Sequence, residues 1–175
     1  MRQCGGCTAC CKLLPVLEIK KPAMTRCDHQ RTGKGCAIYA KRPASCRVWS
    51  CMWLRDPLTA DLSRPDRSHY VIDMLPDFVT SVNDDTGERE HIRVVQVWVS
   101  PTHRDAHRDP ALRAYLEIRG QIDGTMALIR YGQEEAFLLC PPSLNTEGIW
   151  VEKHTKLKAE EEHTAAQVAA AWRGQ

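Results

Sequence analysis

The sequence predicts an α+β fold: a cysteine-rich, loop-rich module packed on a small, mostly antiparallel sheet with helices. Three observations predict it. Eight of the nine cysteines fall within the first 51 residues, where glycine and proline interrupt every apolar run. After a proline-punctuated stretch, "RDPLTADLSRPDRS" (Arg55–Ser68), the chain changes to alternating apolar runs of strand length. One segment among them, "DPALRAYLEIRG", carries both helix start and helix stop signals. The chain therefore reads as a cysteine-rich module over 1–56, a sheet region over 57–150 and a C-terminal helix over 151–175. Its 175 residues, 43% apolar, suffice for one compact unit.

Upstream, a short helix is expected over Cys36–Lys41, ending before Pro43, and another over Ser45–Leu54. "HYVIDML" (His69–Leu75) and "FVTSV" (Phe78–Val82) read as strands, and "NDDTGE" (Asn83–Glu88) as a turn. "HIRVVQVWVS" (His91–Ser100) reads as a long strand, apolar on both faces. Asp109 is placed to cap a helix with Pro110 at its first position and Gly120 closing it. "TMALIRYGQEEAFLLC" reads as a hairpin turning at Gly132–Glu134. The tail, Glu152–Arg173, is expected to be helical, with Leu157, Ala165, Val168 and Trp172 on one face.

The cysteine pattern is C-x2-C-x2-C-C, fifteen residues, then C-x8-C-x9-C-x4-C, through Cys4, Cys7, Cys10, Cys11, Cys27, Cys36, Cys46 and Cys51. Thiolates three residues apart can wrap one ion, because the intervening turn aims both sulfurs inward. Adjacent cysteines diverge, so Cys10 and Cys11 are expected either to face different sites or to divide between ligation and packing. Eight thiols divide arithmetically into two four-sulfur sites, and one or two metal centres are expected. All-sulfur coordination takes zinc or an iron–sulfur cluster alike. The C-x2-C-x2-C start leans slightly to iron and sulfide. No signal-peptide pattern follows Met1 and no run approaches a membrane span, so a cytoplasmic location is expected, where metal outranks a disulfide framework.

Net charge is +2, unevenly spread: residues 1–60 carry 11 Lys+Arg against 3 Asp+Glu, and residues 61–150 carry 9 against 15. The basic excess coincides with the thiols. A four-thiolate zinc site is a formal dianion, so counter-charge explains it better than nucleic acid does. Arg42 and Arg47 are candidate donors to thiolate sulfur. Pro43 turns the chain toward Cys46. Tyr39, Trp49 and Trp53 are candidate shields, weighed against plain core packing.

"CGGCTACC", "KPAMTRCDH" and "GCAIYAKRPASCRVWSC" with the following "MWL" resemble the CxxCxxCC family of bacterial proteins, described as having a zinc- or iron-chelating domain. The resemblance covers residues 4–54. The eight cysteines, Ile38-Tyr39, Arg42-Pro43 and Arg47 fall on the family pattern, whereas Trp49 stands where the family usually has Phe. The resemblance implies metal chelation through those eight cysteines. One branch of relatives is associated with methylating lysines of flagellin, which keeps an enzyme as the alternative.

Weaker signals are weighed against plainer ones. His29, two residues after Cys27, is a candidate nitrogen ligand, but eight thiols already fill two tetrahedral sites. His103 and His107 stand four apart between Pro101 and Pro110, and a solvated loop is the preferred reading. Cys140, at the end of an apolar strand, reads as a buried small residue rather than a nucleophile. No glycine loop reads as a phosphate cradle, and no catalytic group can be named. Three functions are ranked. A metal-binding protein or carrier comes first, with a protein partner allowed. A metal- or cluster-dependent enzyme comes next, which requires a polar pocket beside the cysteines. A zinc-module adaptor comes last, which requires Lys20, Lys21, Arg26, Arg31, Lys34 and Lys41 to form one exposed stripe.

Overall fold

A long strand with two buried faces organises the molecule. The computed structural model describes residues 2–73, 77–82 and 85–154. In chain order its elements are α1 (Ala9–Leu13), β1 (Gln30–Arg31), β2 (Gly35–Cys36), α2 (Ala44–Val48), α3 (Met52–Arg55), α4 (Pro65–Ser68) and β3 (Tyr70–Ile72). Then follow β4 (Asp77–Val82), β5 (Arg89–Val99), α5 (Pro110–Asp123), β6 (Met126–Arg130), β7 (Ala136–Cys140) and β8 (Val151–Lys153). The fold is α+β. β1 and β2 form a small hairpin, and the others form a six-stranded sheet in the order β3-β5-β6-β7-β8, with β4 also paired to β5. All pairings in it are antiparallel except β5 with β6, which α5 connects as a parallel crossover.

Side-chain alternation along β5 tells where the layers lie. Val95, Val97 and Val99 join Leu112, Tyr115 and Leu116 of α5, Ile129 of β6 and Leu139 of β7 in the main core. Burying each such side chain contributes about 1.5–3 kcal/mol. Trp98 points the other way. With Val71 of β3 it meets Ala9, Leu13, Leu14 and Cys51, so the cysteine module covers the sheet face opposite α5. The continuous apolar run in the sequence reflects this double coverage.

Several elements differ from expectation. The helix expected over Cys36–Lys41 is split between β2 and a 3-10 turn at Tyr39–Lys41, because Cys36 is taken into the hairpin with Gln30. The helix expected over Ser45–Leu54 breaks into α2 and α3, with extended backbone at Trp49 and Cys51. Trp49 is drawn off the helical path by its indole, whose Nε1 donates to Asp73 Oδ1 at 2.7 Å. α5 runs past Gly120 and ends at Gly124, which is left-handed with φ 67°. Gly120 serves contact instead: a Cβ there would stand 2.7 Å from both Pro141 Cγ and Ser143 Oγ. Asp109 caps α5 as expected, accepting from Ala111 N at 3.0 Å. The tail opens as strand β8, paired with β7, rather than as helix. The remainder of the expected C-terminal helix lies outside the described residues, as do Met74, Leu75, Asn83 and Asp84 of the expected strand and turn.

Candidate functional site

The CGGC loop is shaped by its glycines. Cys7 N donates to Cys4 O at 2.9 Å, and Gly5 takes the left-handed φ of 51° that closes this turn. A Cβ on Gly6 would lie 2.4 Å from Gly33 O, so the loop presses backbone to backbone on the β1–β2 turn. The chain then enters α1, which carries Cys10 and Cys11. Successive helical residues point about 100° apart, yet the Cys10 thiol reaches back to hydrogen-bond Cys11, so the expected divergence of the pair is not seen. Cys7 and Cys10 pack on the apolar cluster that holds Cys51, Val71 and Trp98.

A second set of contacts gathers around Cys11. Cys27 N donates to Cys11 O at 2.9 Å, and Gln30 N to Cys27 O at 3.0 Å, which ties the hairpin to α1. Gln30, 1% exposed, donates through Nε2 to Thr8 Oγ1 at 3.0 Å. Glu18 accepts from both the amide and the hydroxyl of Ser45, each at 2.8 Å, and so positions α2 and its Cys46. Lys21 is 6% exposed. Its backbone pairs with Val16, and its Nζ donates to Leu14 O and to Pro22 O.

The thiols titrate in step with this arrangement. Cys10 donates its S–H to Cys11, which raises Cys10 well above the ordinary thiol value; burial adds to that rise. The same hydrogen bond lowers Cys11 to about 7, with burial opposing and Lys21 assisting. Burial pushes Cys51 up to about 11, against the Leu54 amide. Burial also raises Cys4, opposed by Arg42, and raises Cys7, opposed by the Ala9 amide. Cys46 is raised by burial, with a hydrogen bond from Ser45 opposing. Lys21 is lowered by burial, while Cys27, Cys11, Cys10 and Cys46 pull it back up. The thiolate is the form that ligates metal, and the Cys10 hydrogen bond favours it at Cys11.

Cys4, Cys7, Cys10, Cys11, Cys27, Cys46 and Cys51 thus fall within one electrostatic neighbourhood. Cys36 sits on the hairpin opposite Gln30, and none of the cysteines is disulfide-bonded. As the side chains stand, no three His, Cys, Asp or Glu among the described residues converge closely enough to hold a metal ion.

The accessory residues divide. Arg42 stacks on Tyr39 at 4.0 Å and faces Cys4, and its buried Nε has no hydrogen-bond partner among the described residues. Tyr39 is 60% exposed and shields nothing. Arg47 is exposed on α2. Trp53 packs at the edge of both clusters and donates to Leu62 O at 2.9 Å, a structural bond. His29 is half-buried just before β1. Arg64, paired with Asp66 at 2.6 Å, adds a positive neighbour to Cys4 and Cys7 that the sequence did not single out. Lys21 was also missed as a site residue, since adjacent lysines before a proline carry no burial signal.

The histidines correct an expectation. His107 lies on a 3-10 turn, Arg104–Arg108, rather than in a solvated loop, whereas His103 precedes that turn and is exposed as expected. His107 is 4% exposed, with Nδ1 2.7 Å from Arg104 O and 2.9 Å from Tyr131 Oη. Its Nε2 stands 3.7 Å from Glu152 beside a cleft of about 260 Å³, also walled by Phe137 and His154. His103 stacks on His69 at 3.6 Å. A second cleft, about 300 Å³, follows α3, but Arg2 in its wall is spent on carbonyls of Trp53, Thr59 and Ala60. Cys140 is buried at 1%, within weak reach of Pro141 O and Leu144 O. No described helix is long and apolar enough to cross a membrane.

Compared with known proteins, the chain matches no protein-family model, no curated protein and no solved structure.

Proposed function

We propose that the chain is a metal-binding protein whose Cys4, Cys7, Cys10, Cys11, Cys27, Cys36, Cys46 and Cys51 take zinc or an iron–sulfur cluster, in keeping with its resemblance to the CxxCxxCC family. The observation that carries this reading is the gathering of separated thiols, from Cys4 to Cys51, around α1 with a buried lysine among them. Lys21, 6% exposed and donating to Leu14 O and Pro22 O, sets its ammonium amid four cysteines, where it would offset thiolate charge. The donor set fits the group chemically: soft sulfurs, with Arg42, Arg64 and Lys21 to offset thiolate charge. Loading would draw the sulfurs inward from their present spacing, each thiol giving up its proton as it ligates. When bound, zinc would supply a structural tie and a cluster would supply electron transfer or sensing.

The C-x2-C-x2-C start continues to favour iron and sulfide slightly. The adaptor reading loses support, because Lys21 is buried and cannot belong to an exposed basic stripe. A protein that delivers or accepts the metal is the partner this reading accommodates.

The test is ligand substitution on the full chain. Replacing Cys7 or Cys36 by Ser should lower bound metal and open the module to proteolysis. Unchanged metal content in both variants would remove the assignment.

A further inference from the structure

We propose that the cleft beside His107 binds a small organic ammonium ion, a use separate from the cysteine module. Sheet register places the cleft. Glu152 of β8 stands opposite Leu139, and Leu139 opposite Ala127. Both apolar residues belong to the core shared with α5, whereas the module covers the other face of the sheet. None of the eight cysteines of the module lines the cleft.

Hydrogen bonding fixes where His107 carries its proton. Nδ1 lies 2.7 Å from Arg104 O, which can only accept, so Nδ1 is the protonated nitrogen of the neutral ring. Tyr131 Oη donates to the same carbonyl at 3.1 Å. Nε2 is then left as an acceptor on the cleft wall. It is buried and has no hydrogen-bond partner among the described residues. It faces Glu152 Oε1 at 3.7 Å, and a carboxylate oxygen is an acceptor too. The other cationic or imidazole neighbours of this carboxylate also stand beyond hydrogen-bond distance, His154 Nε2 at 3.8 Å and Arg113 Nη2 at 3.9 Å. Arg113 is held aside, its Nε donating to His107 O at 3.1 Å and its guanidinium 4.5 Å over Trp150.

Two acceptors turned on each other call for a donor that serves both. Nε2 and Oε1, 3.7 Å apart, are within reach of a single nitrogen about 2.8–3.0 Å from each. An ammonium supplies the N–H groups and the positive charge that strengthens the bond to Glu152. Phe137, its ring 5.5 Å from that of His107 and 5.1 Å from that of His154, adds an aromatic wall for the cation or a short hydrocarbon stem. A metal ion fits less well, because these groups do not converge on one point. An anion fits least: Arg104 is already paired with Glu135 and stacked on Tyr131, Arg108 faces Asp105 at 3.7 Å, and the Nε2 lone pair opposes negative charge. At about 260 Å³ the cleft suits an amine of a few carbons rather than a drug-sized molecule.

The experiment titrates the full-length protein with n-butylamine at neutral pH and follows the His107 ring nitrogens by heteronuclear NMR. A saturable shift of Nε2 is expected, with Nδ1 still protonated. n-Butanol, similar in shape but uncharged, should bind about tenfold more weakly or worse. Glu152→Gln keeps the shape of a partly exposed side chain and should weaken butylamine by about tenfold or more. Triglycine amide, an amine carried on a peptide, tells the sources apart. A shift with butylamine alone assigns a free amine, and a shift with both extends the site to peptide amino ends. No saturable shift with either amine, an equal response to butanol, or unchanged affinity in Glu152→Gln would overturn the proposal. Inorganic phosphate moving Nε2 where butylamine does not would overturn it in favour of an anion site.

Discussion

The backbone amide of Cys27 donates to the carbonyl of Cys11 at 2.9 Å. Fifteen residues separate the two in sequence. This one bond carries the hairpin segment to the edge of α1 and sets which thiols can meet there. If the module takes metal as proposed, main-chain contacts of this kind bring its thiols together beforehand, and the consequences can be measured.

Lys21 tests the counter-charge directly. Lys21→Met keeps the length of the buried stem but removes the ammonium, leaving Leu14 O and Pro22 O without its donors. Metal affinity should fall by about 10–100-fold, the usual scale for losing a supporting group. Unchanged affinity, measured by competition with a chelator, would show that Lys21 plays no part in charge balance.

Gly6 tests the loop. Gly6→Ala would place a Cβ 2.4 Å from Gly33 O, a backbone atom that cannot swing aside. The cost should be about 1–3 kcal/mol, or a melting temperature lower by several degrees. Gly33→Ala meets nothing within 4 Å and suffers only its φ of 70°, so it should cost less. Equal melting temperatures for the two variants would contradict the close-approach account.

His69 gives a pH signature. Burial lowers its pKa below the ordinary 6.5, with the stacked His103 and then Lys12 adding to the effect. The unfolded chain therefore binds this proton more readily than the folded one. Stability from this pair is present above about pH 6.5 and declines as pH falls below it. His103→Gln should move the His69 NMR titration back toward 6.5. A His69 titration unaffected by that change would refute the pairing.

The ninth cysteine separates packing from ligation. Cys140→Ser should leave metal content unchanged and lower stability by about 1 kcal/mol, since Pro141 O and Leu144 O can receive the new hydroxyl. Loss of metal would mean that Cys140 had been misread.

Much of the sheet was legible because its signals are local. β5 and the β6–β7 hairpin follow from apolar runs and a turn, and the start of α5 from Asp109 and Pro110. The end of α5 was not, since Gly120 and Gly124 look alike in sequence and differ in what the fold asks of them: close approach by Pro141 and Ser143 in one case, a left-handed backbone in open space in the other. The thiols were legible as a set from their spacing. Their grouping depends on contacts such as Glu18 with Ser45 and Gln30 with Thr8, polar pairs more than twenty residues apart that no periodicity announces. His107 was misread for the same reason, its burial being set by Tyr131 and Phe137 across the sheet.

The measurement that bears most directly on the central claim is the metal and acid-labile sulfide content of untagged protein purified without oxygen. Zinc near one or two equivalents, or iron with matching sulfide, is the predicted result, with the content falling in Cys7→Ser and Cys36→Ser. Protein that carries neither zinc nor iron and stays folded with its cysteines free would contradict it.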